Sequence, residues 1–250
     1  MTPGLVAFVL AAVFAASAIS GLFGMAGGSL LMAALTYALP VGAALALHGA
    51  AQLVSNLARA GMDWRHVRYS TLGWFALGAG AGLALLSLVA YQPSRAALFI
   101  AMGLLPALVW IPARWVPLDA ARPSHAAAGG FLVCALALTA GVSGPLSELF
   151  LIRSSLTRHQ VIGTKAAMQV FAHLAKLLFY GGALLSLDGG EGVQAGLLAG
   201  VAAAAVLGAF AGRRFLDALS EDRFRRWRRW IFTVLGAGFL IQGVALLAGA

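Results

Sequence analysis

From its first residue the chain is a succession of apolar runs, cut by short gaps that hold Gly, Pro or Arg. A helix needs about 20 apolar residues to cross the hydrocarbon core of a bilayer. By that rule long segments are predicted at roughly 4–23, 41–62, 70–91 and 95–112 in the first half of the chain. The second half offers roughly 125–141, 159–184, 193–212 and 229–248. Two further segments, at 29–39 and 145–153, hold only about ten apolar residues each and are too short to cross as regular helices. They occupy matching places in the two halves, where each either crosses as a broken helix or returns as the second arm of a re-entrant hairpin. The pattern predicts an all-α polytopic membrane protein of about ten hydrophobic segments, with a short or broken segment after a Gly-rich loop in each half.

Composition agrees with the pattern. Of 250 residues, 61% are apolar and 10% charged, and the mean hydropathy is +0.91, so the chain has too little polar surface to coat a water-soluble globule. The net charge of +9 and the pI near 11 would suggest a nucleic-acid partner in a soluble protein. Here the charge has another meaning, because the arginines gather at the ends of apolar runs. Arg59, Arg65 and Arg68 follow the 41–62 segment, Arg114 and Arg122 follow 95–112, and Arg153 and Arg158 follow 145–153. Arg213, Arg214, Arg223, Arg225, Arg226, Arg228 and Arg229 follow 193–212, which brings 14 of the 17 basic side chains into four clusters. The intervening connections carry Arg95 and the acidic Asp188 and Glu191. The excess of arginine marks the clustered loops as cytoplasmic and places both termini outside. Ala16-Ser17-Ala18 resembles a signal-peptidase site, but no Lys or Arg precedes the apolar run, so 4–23 is expected to be a retained first helix. The single cysteine, Cys134, lies in an apolar run and is expected to be a small buried side chain.

This orientation gives each half an odd number of crossings, so the second half runs through the membrane upside down relative to the first. Two inverted repeats are expected, 1–116 and 123–250, together forming one membrane domain. The halves also align at a constant offset of 117 residues: Gly24-Met25-Ala26-Gly27 lies over Gly141-Val142-Ser143-Gly144, and Gln52 over Gln169. In the same register His48 meets Lys165, Asn56 meets His173 and Arg59 meets Lys176.

On a helix turning about 100° per residue, Lys165, Gln169, His173 and Lys176 fall within about 80° of one another, and His48, Gln52 and Asn56 do the same. Each helix thus carries one wet stripe. A charge at membrane depth costs a few kcal/mol unless water, a partner or a ligand meets it, and an anion would serve as that ligand. The competing reading is that Lys165, Lys176 and Arg59 snorkel to the interface, and that the amides, His48 and His173 are hydrogen-bond glue between helices. The glycine loops 24–29 and 141–147 are the second element, since each leaves backbone N–H groups and a positive helix start free to face a ligand; close helix packing competes with that reading. Glu148 is the one acidic side chain expected inside the membrane, where it either binds a coupling proton or pairs with a basic neighbour such as Arg153. Ser143 and Ser147 can donate to an oxyanion or cap backbone.

The stretch Ser20-Gly-Leu-Phe-Gly-Met-Ala-Gly-Gly-Ser29 after the first helix, the helix bearing His48-Gly49 and Gln52, and the weaker copy of both in the second half resemble the TauE/SafE family of membrane permeases. The resemblance covers essentially the whole chain in length, segment order and glycine loops. It implies a small multi-pass permease of the bacterial inner membrane that moves sulfite or an organosulfonate through a site between the halves, with no cofactor. Direction is not implied, because the family includes members proposed to import sulfonates. The substrate-binding residues expected on this reading are Gly24, Gly27, Gly28, Ser29, His48, Gln52 and Asn56 from the first half. Ser143, Gly144, Lys165, Gln169 and His173 are expected from the second, with Glu148 for proton coupling. Pro145 and Glu148 replace Gly28 and Leu31 of the first loop, which argues against a fully symmetric site. The expected partners are the anion, the lipid bilayer, a coupling proton and, in some assemblies, a second copy of the chain. No Gly-x-x-x-x-Gly-Lys-Ser/Thr loop is present, so energy would come from a gradient. The competing classes are a membrane-embedded assembly protein, whose polar stripes are packing glue, and an intramembrane enzyme built on Glu148 and His173.

Overall fold

The computed structural model describes residues 1–23, 26–115, 119–120, 122–151, 158–185, 190–218 and 221–249. Ten α-helices appear among them: α1 (Pro3–Phe23), α2 (Ala26–Ala38), α3 (Val41–Met62), α4 (Tyr69–Val89) and α5 (Arg95–Leu104) in the first half, and α6 (Pro123–Thr139), α7 (Gly144–Leu151), α8 (Arg158–Tyr180), α9 (Gly190–Ala218) and α10 (Glu221–Leu247) in the second. The described residues contain no strand. The chain is an all-α polytopic membrane protein. Among the described residues five helices, α1, α3, α4, α9 and α10, are long and apolar enough to cross a bilayer, and the outward faces of α4 and α10 present bare hydrocarbon: Leu77, Leu88, Val234 and Ile241 are all exposed. The apolar window of α3 differs from its peers, with 61% of it buried against 22% for α4 and for α10, so α3 runs through the middle of the protein.

The segment at 95–112 is not the single long helix its hydropathy predicts. α5 ends after ten residues and continues as a 3-10 turn over Leu105–Trp110, with Pro106 at its start. Proline lacks the N–H that an α-helix needs at that position and crowds the preceding turn, so the chain tightens there. The start of α5 is fixed by Ser94, whose hydroxyl accepts from the Ala97 N–H at 3.1 Å. At the other end of the chain the expected segments are too short: α9 and α10 run on through the arginine-rich stretch to Ala218 and from Glu221. The two short segments are helices of 13 residues (α2) and 8 residues (α7), the latter described as far as Leu151.

Packing brings the halves together. α1 lies along α9, α4 along α6, α3 against α8, and α5 with its 3-10 turn against α10. Shifted by the sequence offset of 117, α1 falls on 120–140, over α6, and α9 on 73–101, over most of α4 and the start of α5, so a similar contact recurs with the partners exchanged between halves. Small residues allow backbones to meet: a Cβ at Gly130 would strike the Phe75 carbonyl, and one at Gly78 the Ala127 carbonyl. α2 packs on α1 and α3, and α7 on α6 and α8, which directs the starts of both short helices to the α3–α8 seam.

Candidate functional site

Between α3 and α8, at the starts of α2 and α7, lies a cavity of about 80 Å³ with polar side chains from all four of these helices among its lining. A buried water needs only some 10–15 Å³ of such space, so several waters or one small oxyanion fit. Along α3 the lining runs from His48 to Arg59, and along α8 from His173 back to Val161. The cavity therefore extends from the middle of both helices towards the ends that carry the clustered arginines.

His48, Gln52 and Asn56 line it from α3, and Lys165, Gln169 and His173 from α8. Gly28 and Ser29 reach it from α2, Gly144 and Glu148 from α7, and Ser143 from the turn before α7. Gly24 lies outside the described residues. Gly27 does not face the cavity: a side chain there would run into the Ala16 carbonyl and Ser20, so this glycine lets α2 close on α1. The chain between α6 and α7 turns at Gly141, whose φ of 75° lies in the left-handed region that glycine reaches without strain.

The polar atoms around the cavity divide into satisfied and orphaned groups. Gln169 Nε2 donates to the hydroxyls of Ser147 and Ser143, and Ser147 is otherwise tied to the Ser143 carbonyl. His48 Nε2 faces the Gly28 carbonyl at 3.0 Å and Nδ1 faces Lys176 Nζ at 3.0 Å. A carbonyl can only accept, so the His48 proton on that side is on Nε2. By contrast, Gln52 Nε2 and His173 Nδ1 are buried and have no partner among the described residues. Buried polar atoms are nearly always paired, by protein or by ordered water or ligand; Ser17 Oγ and Ser55 Oγ are also without a partner but stand off the cavity, so Gln52 Nε2 and His173 Nδ1 are the two such groups on residues that line it.

None of the three candidate cations snorkels. Lys165, with its side chain 7% exposed, pairs with Glu148 Oε2 at 2.9 Å. That contact gives Glu148 a basic partner among the described residues; Arg153, the neighbour expected from the sequence, lies outside them. Lys176 is fully buried and outside the cavity lining, and its ammonium donates to the Gly141 carbonyl at 2.7 Å, to His48 and to Met32 Sδ. Arg59 is buried as well, although it stands one turn from the end of α3. Its guanidinium donates to the Ser20 carbonyl at 2.9 Å, to Asn56 Oδ1 at 2.8 Å and to the Ser55 carbonyl at 3.3 Å, and it lines the cavity. Arg59 is the residue that hydropathy alone misplaces. The signal available in the sequence was its position opposite Lys176 in the internal alignment, in register with a stripe already read as wet.

A bundle that is hydrocarbon outside and polar at its centre, with short helices starting at a chamber between its two halves, is the architecture of a membrane transporter. The family model described as "Sulfite exporter TauE/SafE" matches residues 9–239, nearly the whole chain, and the chain belongs to that family of sulfite exporter-type membrane transporters. No match is found among curated proteins or among solved structures.

Proposed function

We propose that the protein is a secondary transporter that moves a small oxyanion, sulfite or an organosulfonate, across the bacterial inner membrane by alternating access, with the α3–α8 cavity as its substrate site. The observation that carries this reading is the pair of orphaned polar groups, Gln52 Nε2 and His173 Nδ1, contributed by opposite halves and buried at one chamber. Helix glue would have bonded them to each other or to neighbouring backbone, as Gln169 is bonded to Ser147. An anion accepting from Gln52 and a protonated His173 nitrogen satisfies both at once.

The exchanged contacts of α1 with α9 and α6 with α4 support two inverted repeats, 1–116 and 123–250, rocking about the seam. With the arginine-rich ends inside, the chamber opens towards the cytoplasm, and the Lys176–His48–Gly141 bonds close the route beyond it. Glu148 is the coupling group on this reading. A proton on its carboxylate releases Lys165, which then adds a positive charge to the anion site, so proton and anion are taken up together.

Purified protein reconstituted into liposomes tests the proposal. Sulfite or one of a panel of organosulfonates should drive counterflow, and a pH gradient should accelerate it in the native protein but not in Glu148→Gln. Absence of anion-dependent flux and of any anion-induced thermal shift in detergent would remove the transport reading.

A further inference from the structure

Arg59 and Lys176 hold equivalent places in the two halves, and each pins a carbonyl where the chain breaks between helices, Ser20 at the end of α1 and Gly141 after α6. Their remaining capacity differs. An ammonium has three donors, and those of Lys176 reach Gly141, His48 and Met32. A guanidinium has five, and Arg59 uses Nε and one N–H on each terminal nitrogen. One N–H on each terminal nitrogen is left without an acceptor among the described residues. Arg59 has no carboxylate partner among them either, whereas the other cation at the cavity, Lys165, is neutralised by Glu148.

We infer that Arg59 is the principal anchor of the anion, and that its two remaining N–H groups grip two oxygens of one sulfur-centred oxyanion; this rests on the transport reading above. A guanidinium that offers one N–H from each terminal nitrogen can reach two oxygens on one tetrahedral or pyramidal centre and gives no such match to a monatomic anion. Ser20, Ser55 and Asn56 hold the fork in place before the anion arrives, so little side-chain freedom is lost on binding. Arg59 is therefore a specificity-determining residue: it selects sulfite and sulfonates over chloride by shape as well as by charge.

The test is equilibrium binding of sulfite, methanesulfonate and chloride to the purified full chain in detergent, comparing the native protein with Arg59→Lys, Arg59→Gln and the charge-neutral double variant Lys165→Gln/Glu148→Gln. Arg59→Gln should weaken sulfite and methanesulfonate at least tenfold, and the double variant should weaken them less. Arg59→Lys keeps the charge and should narrow the preference for oxyanion over chloride. If Arg59→Gln unfolds, the preference measured in Arg59→Lys decides the matter. Native-like oxyanion affinity in Arg59→Gln, or an unchanged preference in Arg59→Lys, overturns the role of Arg59 while leaving the transport reading in place. Failure of the native protein to bind any of the three anions overturns that reading itself.

Discussion

Lys165 and Glu148 show how much a single contact at depth is worth. Each is a charge that the interior would not accept alone, and at 2.9 Å each makes the other tolerable. Removing one partner takes a 2.9 Å ion pair from the other, which keeps further contacts, so Glu148→Gln and Lys165→Gln are each expected to destabilise the fold by up to about 3 kcal/mol. A double replacement by apolar residues, Lys165→Met with Glu148→Leu, should recover most of that loss, because it takes away both desolvation costs together. Thermal unfolding in detergent reads the comparison; equal melting of the double variant and the worse single variant would mean that the two charges do not support each other. Sequence pattern exposed both residues as polar positions at depth, yet not their pairing. Arg153 is closer to Glu148 along the chain, and only the packing of α7 on α8 brings Lys165 to it. Arg59 was obscured for a similar reason: distance from a helix end suggests solvent, but α1 runs past that point and covers it with the Ser20 carbonyl.

At the scale of elements, the seams are made by what side chains leave out. In α4, Gly78 and Gly80 are chemically the same residue two positions apart, but they face different surroundings. A Cβ on Gly78 would collide with the Ala127 carbonyl of α6, while one on Gly80 meets nothing within 4 Å. Gly78→Ala must therefore push α4 and α6 apart, at a cost on the order of 1–3 kcal/mol or more, and Gly80→Ala should leave the melting temperature of the purified protein unchanged or raise it slightly through lower chain entropy. Similar losses in both variants would show that helix propensity, and not close approach, governs these positions. Hydropathy reads the lengths of such helices well: α3 occupies 41–62, the range its apolar pattern marks, because both boundaries are fixed by local chemistry, Pro40 before and Asp63 after. It fails where hydropathy and backbone rules diverge. The apolar run at 95–112 reads as continuous, but Pro106 interrupts the helix inside it, and the polar stretch 213–229 reads as a loop although arginines are good helix formers.

For the whole molecule, the proposed inversion makes a claim that one chemical experiment can decide. α3 and α8 are counterparts at the offset of 117, so the turns that follow them, around His66 and Leu185, are equivalent in the repeat. In a direct repeat those turns would lie on the same side of the membrane. In an inverted repeat they lie on opposite sides, with His66 among the arginines inside and Leu185 outside. Trp64, Trp110, Trp115 and Trp230 are all exposed beside the arginine-rich ends, as residues of an interfacial belt are, but such belts form at both interfaces and do not tell inside from outside. Cys134 is the one cysteine of the chain and is fully buried, which leaves a quiet background for thiol labelling. A membrane-impermeant maleimide applied to intact spheroplasts should modify Leu185→Cys and Gln92→Cys, and should reach His66→Cys and Ser124→Cys only after permeabilisation. Labelling of His66→Cys and Leu185→Cys from the same side would dismantle the inverted repeat, and with it the argument that the α3–α8 seam is an axis about which two like halves exchange access to one site.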